Sequence, residues 1–317
     1  MIAALLCLVQ APVLDRWRES IELDLPSEVV QEGLPRVQSG DLAEDGQAIA
    51  LVARALAATG AEPRAAKLLR DSKPSPATLA FVEVARARLA LDEDDLAGAR
   101  ALLLSPDLPS PDLTAPPVRF PSVPECWLLA GRTLARGGEI ARAAPLLERF
   151  LALAPLDAEA PSAWHMLVSA AIERGDEAAA ALLREKARAS AQWTAFYRTR
   201  RLQARESPDE PLPRLGIAEL LLAVGENARA REIGRDLVAR FPGFCRGFEV
   251  LGRAEHALRD LDSARATLER GLACDASARA SWLELARVLS DLGQAEAAAA
   301  RYARYRELGG TEPLEAR

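Results

Sequence analysis

Large apolar residues recur along this chain at spacings of three, four and seven, which marks one buried face of a helix rather than a strand. Five segments align on that face, beginning at Pro124, Pro161, Pro211, Cys245 and Arg279, and the last three begin 34 residues apart. Their fourth position holds Trp127, Trp164, Arg214, Phe248 and Trp282, and their seventh Ala130, Leu167, Ile217, Leu251 and Leu285. The eighth is Gly131, Val168, Ala218, Gly252 and Ala286, and the twentieth is alanine throughout: Ala143, Ala180, Ala230, Ala264 and Ala298. Gly and Ala in fixed columns let two backbones come close, so each segment reads as a pair of short antiparallel helices. Gly137-Gly138, Gly175-Asp176, Gly225-Glu226-Asn227 and Gly293-Gln294 supply the break between the helices, and Arg259-Asp260 stands there in the Cys245 segment. Pro155 and Pro242 close two of the second helices. Hairpins this short are marginal alone and must gain their stability by stacking.

The columns of aromatic, Leu-Gly, Ala and terminal Pro resemble the tetratricopeptide repeat family over 124–190 and 211–312. The resemblance implies an all-α solenoid of helical hairpins, a right-handed superhelix whose concave face binds a peptide or an extended partner. Upstream, 45–105 reads as two degenerate hairpins, carried by Val52, Ala53, Gly60, Ala65 and Leu69, then by Phe81, Val84, Ala85 and Ala99. Between these blocks, 106–123 is a proline-rich linker, read as a strap laid on the surface. Position twenty-eight, which faces the next hairpin, is Leu151, Val238 and Leu272 but Arg188 and Arg306 in two copies, and a polar residue there marks an array end. Residues 191–210 accordingly read as one extra basic helix and a turn, separate from the helix before it.

Composition favours helix: half of the residues are apolar, only 5% are aromatic, and Ala, Leu, Arg and Glu dominate. A net charge of -6 argues against a nucleic-acid binder. The basic segment 184–205, with Trp193, Phe196 and Tyr197, offers an RNA-binding alternative; packed aromatics under a solvated arginine face are preferred. Residues 1–14 read either as a signal peptide, with the cut after residue 11, or as a buried N-terminal helix. A cytoplasmic location is preferred, with export following if the run is cleaved. No stretch approaches the ~20 apolar residues of a membrane span. Cys7, Cys126, Cys245 and Cys274 show no CxxC spacing and are read as buried free thiols; in an exported chain Cys245 and Cys274, at opposite ends of one antiparallel hairpin, would be close enough to pair.

No P-loop, dinucleotide, hydrolase or zinc motif occurs, and no residue nominates itself as catalytic. A non-enzymatic chain without cofactor or metal is therefore expected, binding a partner protein or peptide. The resemblance places the concave groove at Arg132 and Arg136, at His165, at Glu249, Arg253 and His256, and at Arg287 and Asp291. Arginine at position nine in three repeats suits an anionic peptide through charge-assisted hydrogen bonds. The alternative is a salt-bridged wall in which Glu249 and Asp291 neutralise Arg253 and Arg287. A structural or assembly subunit of a larger, envelope-associated complex is the competing role.

Overall fold

A computed structural model describes residues 13–104 and 118–314. Among them every regular element is a helix, and the only β pairing is a single antiparallel bridge between Leu104 and Val118. The chain divides into two compact units, with the boundary between Thr194 and Ala195.

Unit one begins with α1 over residues 13–22 and α2 (Pro26–Gln38), followed by α3 (Gly46–Ala58) and α4 (Glu62–Asp71), then α5 (Leu79–Asp92) and α6 (Leu96–Leu103). Its later helices are α7 (Pro124–Arg136), α8 (Ile140–Leu153), α9 (Ala160–Glu173) and the first part of α10 (Glu177–Glu206). Side-chain caps open three of them: the Asp45 carboxylate accepts from the amides of Gln47 at 2.9 Å and Ala48 at 3.1 Å, Asp95 accepts from Gly98 at 2.8 Å, and Asp176 accepts from Ala179 at 2.9 Å. Proline begins α2, α7 and α11, where a missing amide hydrogen costs nothing. The α3, α5 and α7 helices touch one another, forming an inner layer, with α4, α6 and α8 paired to them outside.

Unit two comprises the end of α10 and three hairpins: α11 (Pro211–Ala223) with α12 (Asn227–Arg240), α13 (Arg246–Ala257) with α14 (Leu261–Cys274), and α15 (Arg279–Asp291) with α16 (Ala295–Glu307). Its inner layer is α11, α13 and α15. The break inside each hairpin needs a left-handed residue after the first helix. Gly225 (φ 83°) and Gly293 (φ 74°) provide it, and Arg259 adopts φ 63° in the same role, a conformation that disfavours a side chain by about 1–2 kcal/mol.

The alanine column is the contact line of each hairpin, from Ala143 at 0% exposed to Ala298 at 2%. Opposite it, a Cβ on Gly252 would lie 2.5 Å from Leu268 Cγ, closer than side-chain atoms pack. Ala264→Leu, in the same hairpin, is expected to cost about 1–3 kcal/mol by overpacking, measured as a lower urea midpoint at unchanged slope.

Two features differ from the sequence reading. The expected separate helix over 191–210 is instead continuous with the one before it: α10 runs 30 residues without a break. No Gly or Pro lies between Glu177 and Glu206, so nothing interrupts the hydrogen-bond ladder. A hairpin of α1 and α2 precedes the first repeat that the columns revealed, and buries Trp17 against Val29 and Val52. The reading of residues 1–14 falls mostly outside the described residues, although Leu14 is buried within α1. Of the proline-rich stretch, 105–117 lies outside the described residues. Its far end is packed: the Arg119 amide donates to the Leu103 carbonyl at 2.8 Å, and the Trp127 indole donates to Pro121 at 3.0 Å.

Candidate functional site

The inner layer of unit two encloses a groove of about 870 Å³, lined from α13 by Arg246, Glu249, Arg253 and His256 and from α15 by Leu283, Glu284, Arg287 and Asp291. Because α13 and α15 are first helices of neighbouring hairpins, positions five, nine and twelve of one face the equivalent turns of the next. All five unit-two residues nominated from sequence line this groove. Its wall also carries Arg259, Asp275, Arg279 and Glu312, giving five arginines and five carboxylates in all, with His256 beside them.

The pairing differs from the salt-bridged wall envisaged for Glu249 and Asp291. Arg287 bonds Glu284 and Glu312, each at 3.4 Å, rather than Asp291. Asp291 instead accepts from Arg259 and from His256 Nε2, the latter at 3.1 Å. Glu249 forms no ion pair with any described residue; burial pushes its carboxyl above the usual range, against the smaller pull of Arg253 and Arg246. Arg253 lines the groove and makes no hydrogen bond or ion pair to any described residue.

His256 ties the two hairpins together. Its Nδ1 lies 2.6 Å from Glu284 and its Nε2 3.1 Å from Asp291. A neutral imidazole has one N–H, so both contacts are hydrogen bonds only when the ring is charged. The Glu284 bond, aided by Asp291 and opposed by burial, accordingly raises the His256 pKa. Glu284 is held low: burial pushes it up, but the His256 bond and the charges of His256 and Arg287 outweigh that. A raised imidazole contributes stability that is complete below its ordinary value and lost as pH rises through the raised one. Unit two should therefore melt lower at pH 9 than at pH 6, and His256→Gln should remove the difference. A pH-independent wild-type midpoint across that interval would contradict the linkage.

In unit one the nominated residues are occupied or isolated. Arg132 bonds Glu159 at 2.5 Å and Ser162 at 3.0 Å, Arg136 donates to the Leu91 carbonyl at 2.7 Å, and His165 is exposed. What the sequence reading missed is the centre of this layer. Arg88 on α5 reaches Glu125 at 2.5 Å and Glu159 at 3.2 Å, with Arg54 at 3.9 Å from Glu125. Burial pushes the Glu125 carboxyl up, but Arg88 and Arg54 outweigh it and hold it below the usual range. Arg54 and Arg88 fall in the degenerate repeats, whose columns define no groove register. A smaller cavity of about 350 Å³ adjoins this network, lined by Leu51, Phe81 and Leu89 as well as the charged groups.

The reading of four free thiols holds for Cys126, which is buried and free, its thiol pushed up to about 11 by burial. It fails for Cys245 and Cys274, which form a disulfide with their Cα atoms 5.5 Å apart, because the antiparallel hairpin returns the end of α14 to the start of α13. Cys7 lies outside the described residues. In the basic segment, Lys186 sits over Trp164 at 5.3 Å, Arg200 over Phe196 at 4.9 Å, and Arg229 donates to the Tyr197 hydroxyl at 2.6 Å. Several of its cations and aromatics therefore already have partners within the chain. Among the described residues no group of His, Cys, Asp and Glu is arranged to hold a metal, and no helix is long and apolar enough to cross a membrane.

These hairpins, with their alanine contact column and inner layer of first helices, define an all-α protein of tetratricopeptide-like helical repeats. No protein-family model matches the chain, and no curated protein matches it. Among solved structures it is similar to MamA 41-end from Desulfovibrio magneticus RS-1, at 16% identity over 59% of this chain and 94% of that one, with a TM-score of 0.31. It is similar to MamA MSR-1 at 13% identity over 73% and 96%, TM-score 0.30. YrrB, described as a TPR protein with an unusual peptide-binding site, matches at 12% identity over 58% and 84%, TM-score 0.30.

Proposed function

We propose that the chain is a non-enzymatic interaction module that binds an extended segment of a partner protein in the unit-two groove, within the repeats of 211–312. The observation that carries this reading is Arg253: a guanidinium on the wall of a groove of about 870 Å³ with no hydrogen bond or ion pair to any described residue, whereas Arg246, Arg259 and Arg287 on the same wall are ion-paired. Leaving such donors unmatched is unfavourable unless water or a ligand satisfies them. The balanced lining refines the expected ligand. Five arginines against five carboxylates do not attract anions in bulk, so recognition of one acidic group at Arg253, within a peptide held along the helices, replaces a generally anionic partner. Arg132, Arg136 and His165 are assigned no ligand, since the two arginines already serve the packing of unit one.

Selection from a random-peptide display library tests this. Sequences enriched on the immobilised chain should lose at least tenfold in affinity on Arg253→Glu, with unchanged helicity by circular dichroism. Enriched peptides indifferent to that substitution and to Arg246→Glu would overturn the assignment.

A further inference from the structure

One end of the groove is closed off by the chain itself. After α16 the backbone turns back along Tyr302 and Tyr305, and Gly309, Gly310, Thr311 and Glu312 become part of the groove wall. The contacts are those by which a peptide is read. The Tyr302 hydroxyl donates to the Glu312 carbonyl at 2.9 Å, the Glu312 amide donates to the Tyr305 hydroxyl at 2.9 Å, and the Glu312 carboxylate reaches Arg287 at 3.4 Å. Pro313 disfavours helix at Glu312, and the chain bends there instead of continuing α16. Gly310 lets it approach, for a Cβ there would lie 2.1 Å from the Tyr305 ring.

The seating is incomplete where the charge is recognised. Glu312 is largely exposed, so its ion pair is weak, and it engages one guanidinium nitrogen of Arg287. The Nε of the same guanidinium is buried and finds no acceptor. A carboxylate docked on Nε and Nη2 together would form the bidentate pair that Glu312 does not.

Resting on the groove reading above, we propose that the segment Gly309–Leu314 is an internal plug, and that the ligand displacing it is an extended peptide carrying, beside the acidic group met by Arg253, a second acidic side chain for Arg287. Tethering gives the plug a high effective concentration, so a partner must compete with it and binding is held back until it does.

The test uses the full-length chain and a fluorescent peptide of the segment's own sequence, acetyl-Gly-Gly-Thr-Glu-Pro-Leu-amide, with a second peptide bearing Ala in place of Glu. Gly310→Ala should unseat the plug without altering any groove charge. Anisotropy titration is then expected to show at least fivefold tighter binding of the acidic peptide to Gly310→Ala than to wild type. That gain should be lost with the Ala peptide and on adding Arg287→Gln. Should Gly310→Ala fold poorly, Tyr302→Phe, which deletes the hydrogen bond to the Glu312 carbonyl, serves as the releasing variant. In the wild-type chain the Glu312 amide should exchange hydrogen at least tenfold more slowly than in the free peptide. Equal affinity for wild type and the released variants, indifference to the peptide's Glu, or an unprotected Glu312 amide would each overturn the plug. If display-selected peptides still depend on Arg253 in that event, the groove reading stands and only the plug falls; if none does, both fall.

Discussion

Arg88→Met is expected to lower the stability of unit one by about 3 kcal/mol, the scale of breaking a partly buried ion pair by removing one partner. Arg88 is more than four-fifths buried and bridges Glu125 at the start of α7 to Glu159 just before α9. Without it, Glu125 keeps only the longer contact to Arg54, while Glu159 keeps Arg132. The cost should therefore fall mainly on Glu125, and replacing Arg88 and Glu125 together by Met and Leu should cost less than Arg88→Met alone. Acid should act in the same way. The Glu125 carboxyl is held low, so its contribution is present above the ordinary carboxylate value and lost as pH falls through the depressed one. Denaturant titration of both variants at pH 7 and at acid pH checks this; a loss below about 0.5 kcal/mol for Arg88→Met would show that the network is merely a solvated surface cluster.

The second large effect is expected at the Cys245–Cys274 disulfide. It closes a loop of 29 residues around α13 and α14, and cross-linking a loop of that length stabilises by about 3.6 kcal/mol in the chain-entropy account. Reduction, or Cys245→Ser, should lower the unit-two melting transition and leave unit one unaffected. Intact mass of the unreduced chain should be lighter than the reduced form by two hydrogens, with Cys126 slow to alkylate because it is buried and its thiolate disfavoured. Equal melting with and without reductant would contradict the stabilising role. The bond also has a consequence for the groove, since Asp275, next to Cys274, lines it.

What was legible in the sequence follows from what repeats. Wherever five copies share a column, as at Ala143, Ala180, Ala230, Ala264 and Ala298, the pattern reports backbone approach directly, and those residues are buried. The first hairpin has no such partners in register. Trp17, Val29 and Val37 hold it together by ordinary apolar packing, visible only as an i, i+4, i+8 spacing of Val29, Gly33 and Val37 behind Pro26. The basic helix was misdivided for a related reason: Arg188 is polar because its position faces solvent, which marks the end of stacking rather than the end of a helix.

In the groove, the tetratricopeptide resemblance implied that Arg253, His256, Arg287 and Asp291 share a wall, and all four line it. It did not reveal who pairs with whom. Pairing depends on Glu284, on Arg259 beyond the helix end and on Glu312 after α16, none of which occupies a repeating groove column.

The groove claim is tested most directly by site-specific photocrosslinking. Benzoylphenylalanine at Ala280, which is exposed on the groove wall, should crosslink to a display-selected peptide, and the same residue at Glu269, exposed on α14, should not. Crosslinking from Glu269 but not from Ala280 would place binding on the outer helices and contradict the account.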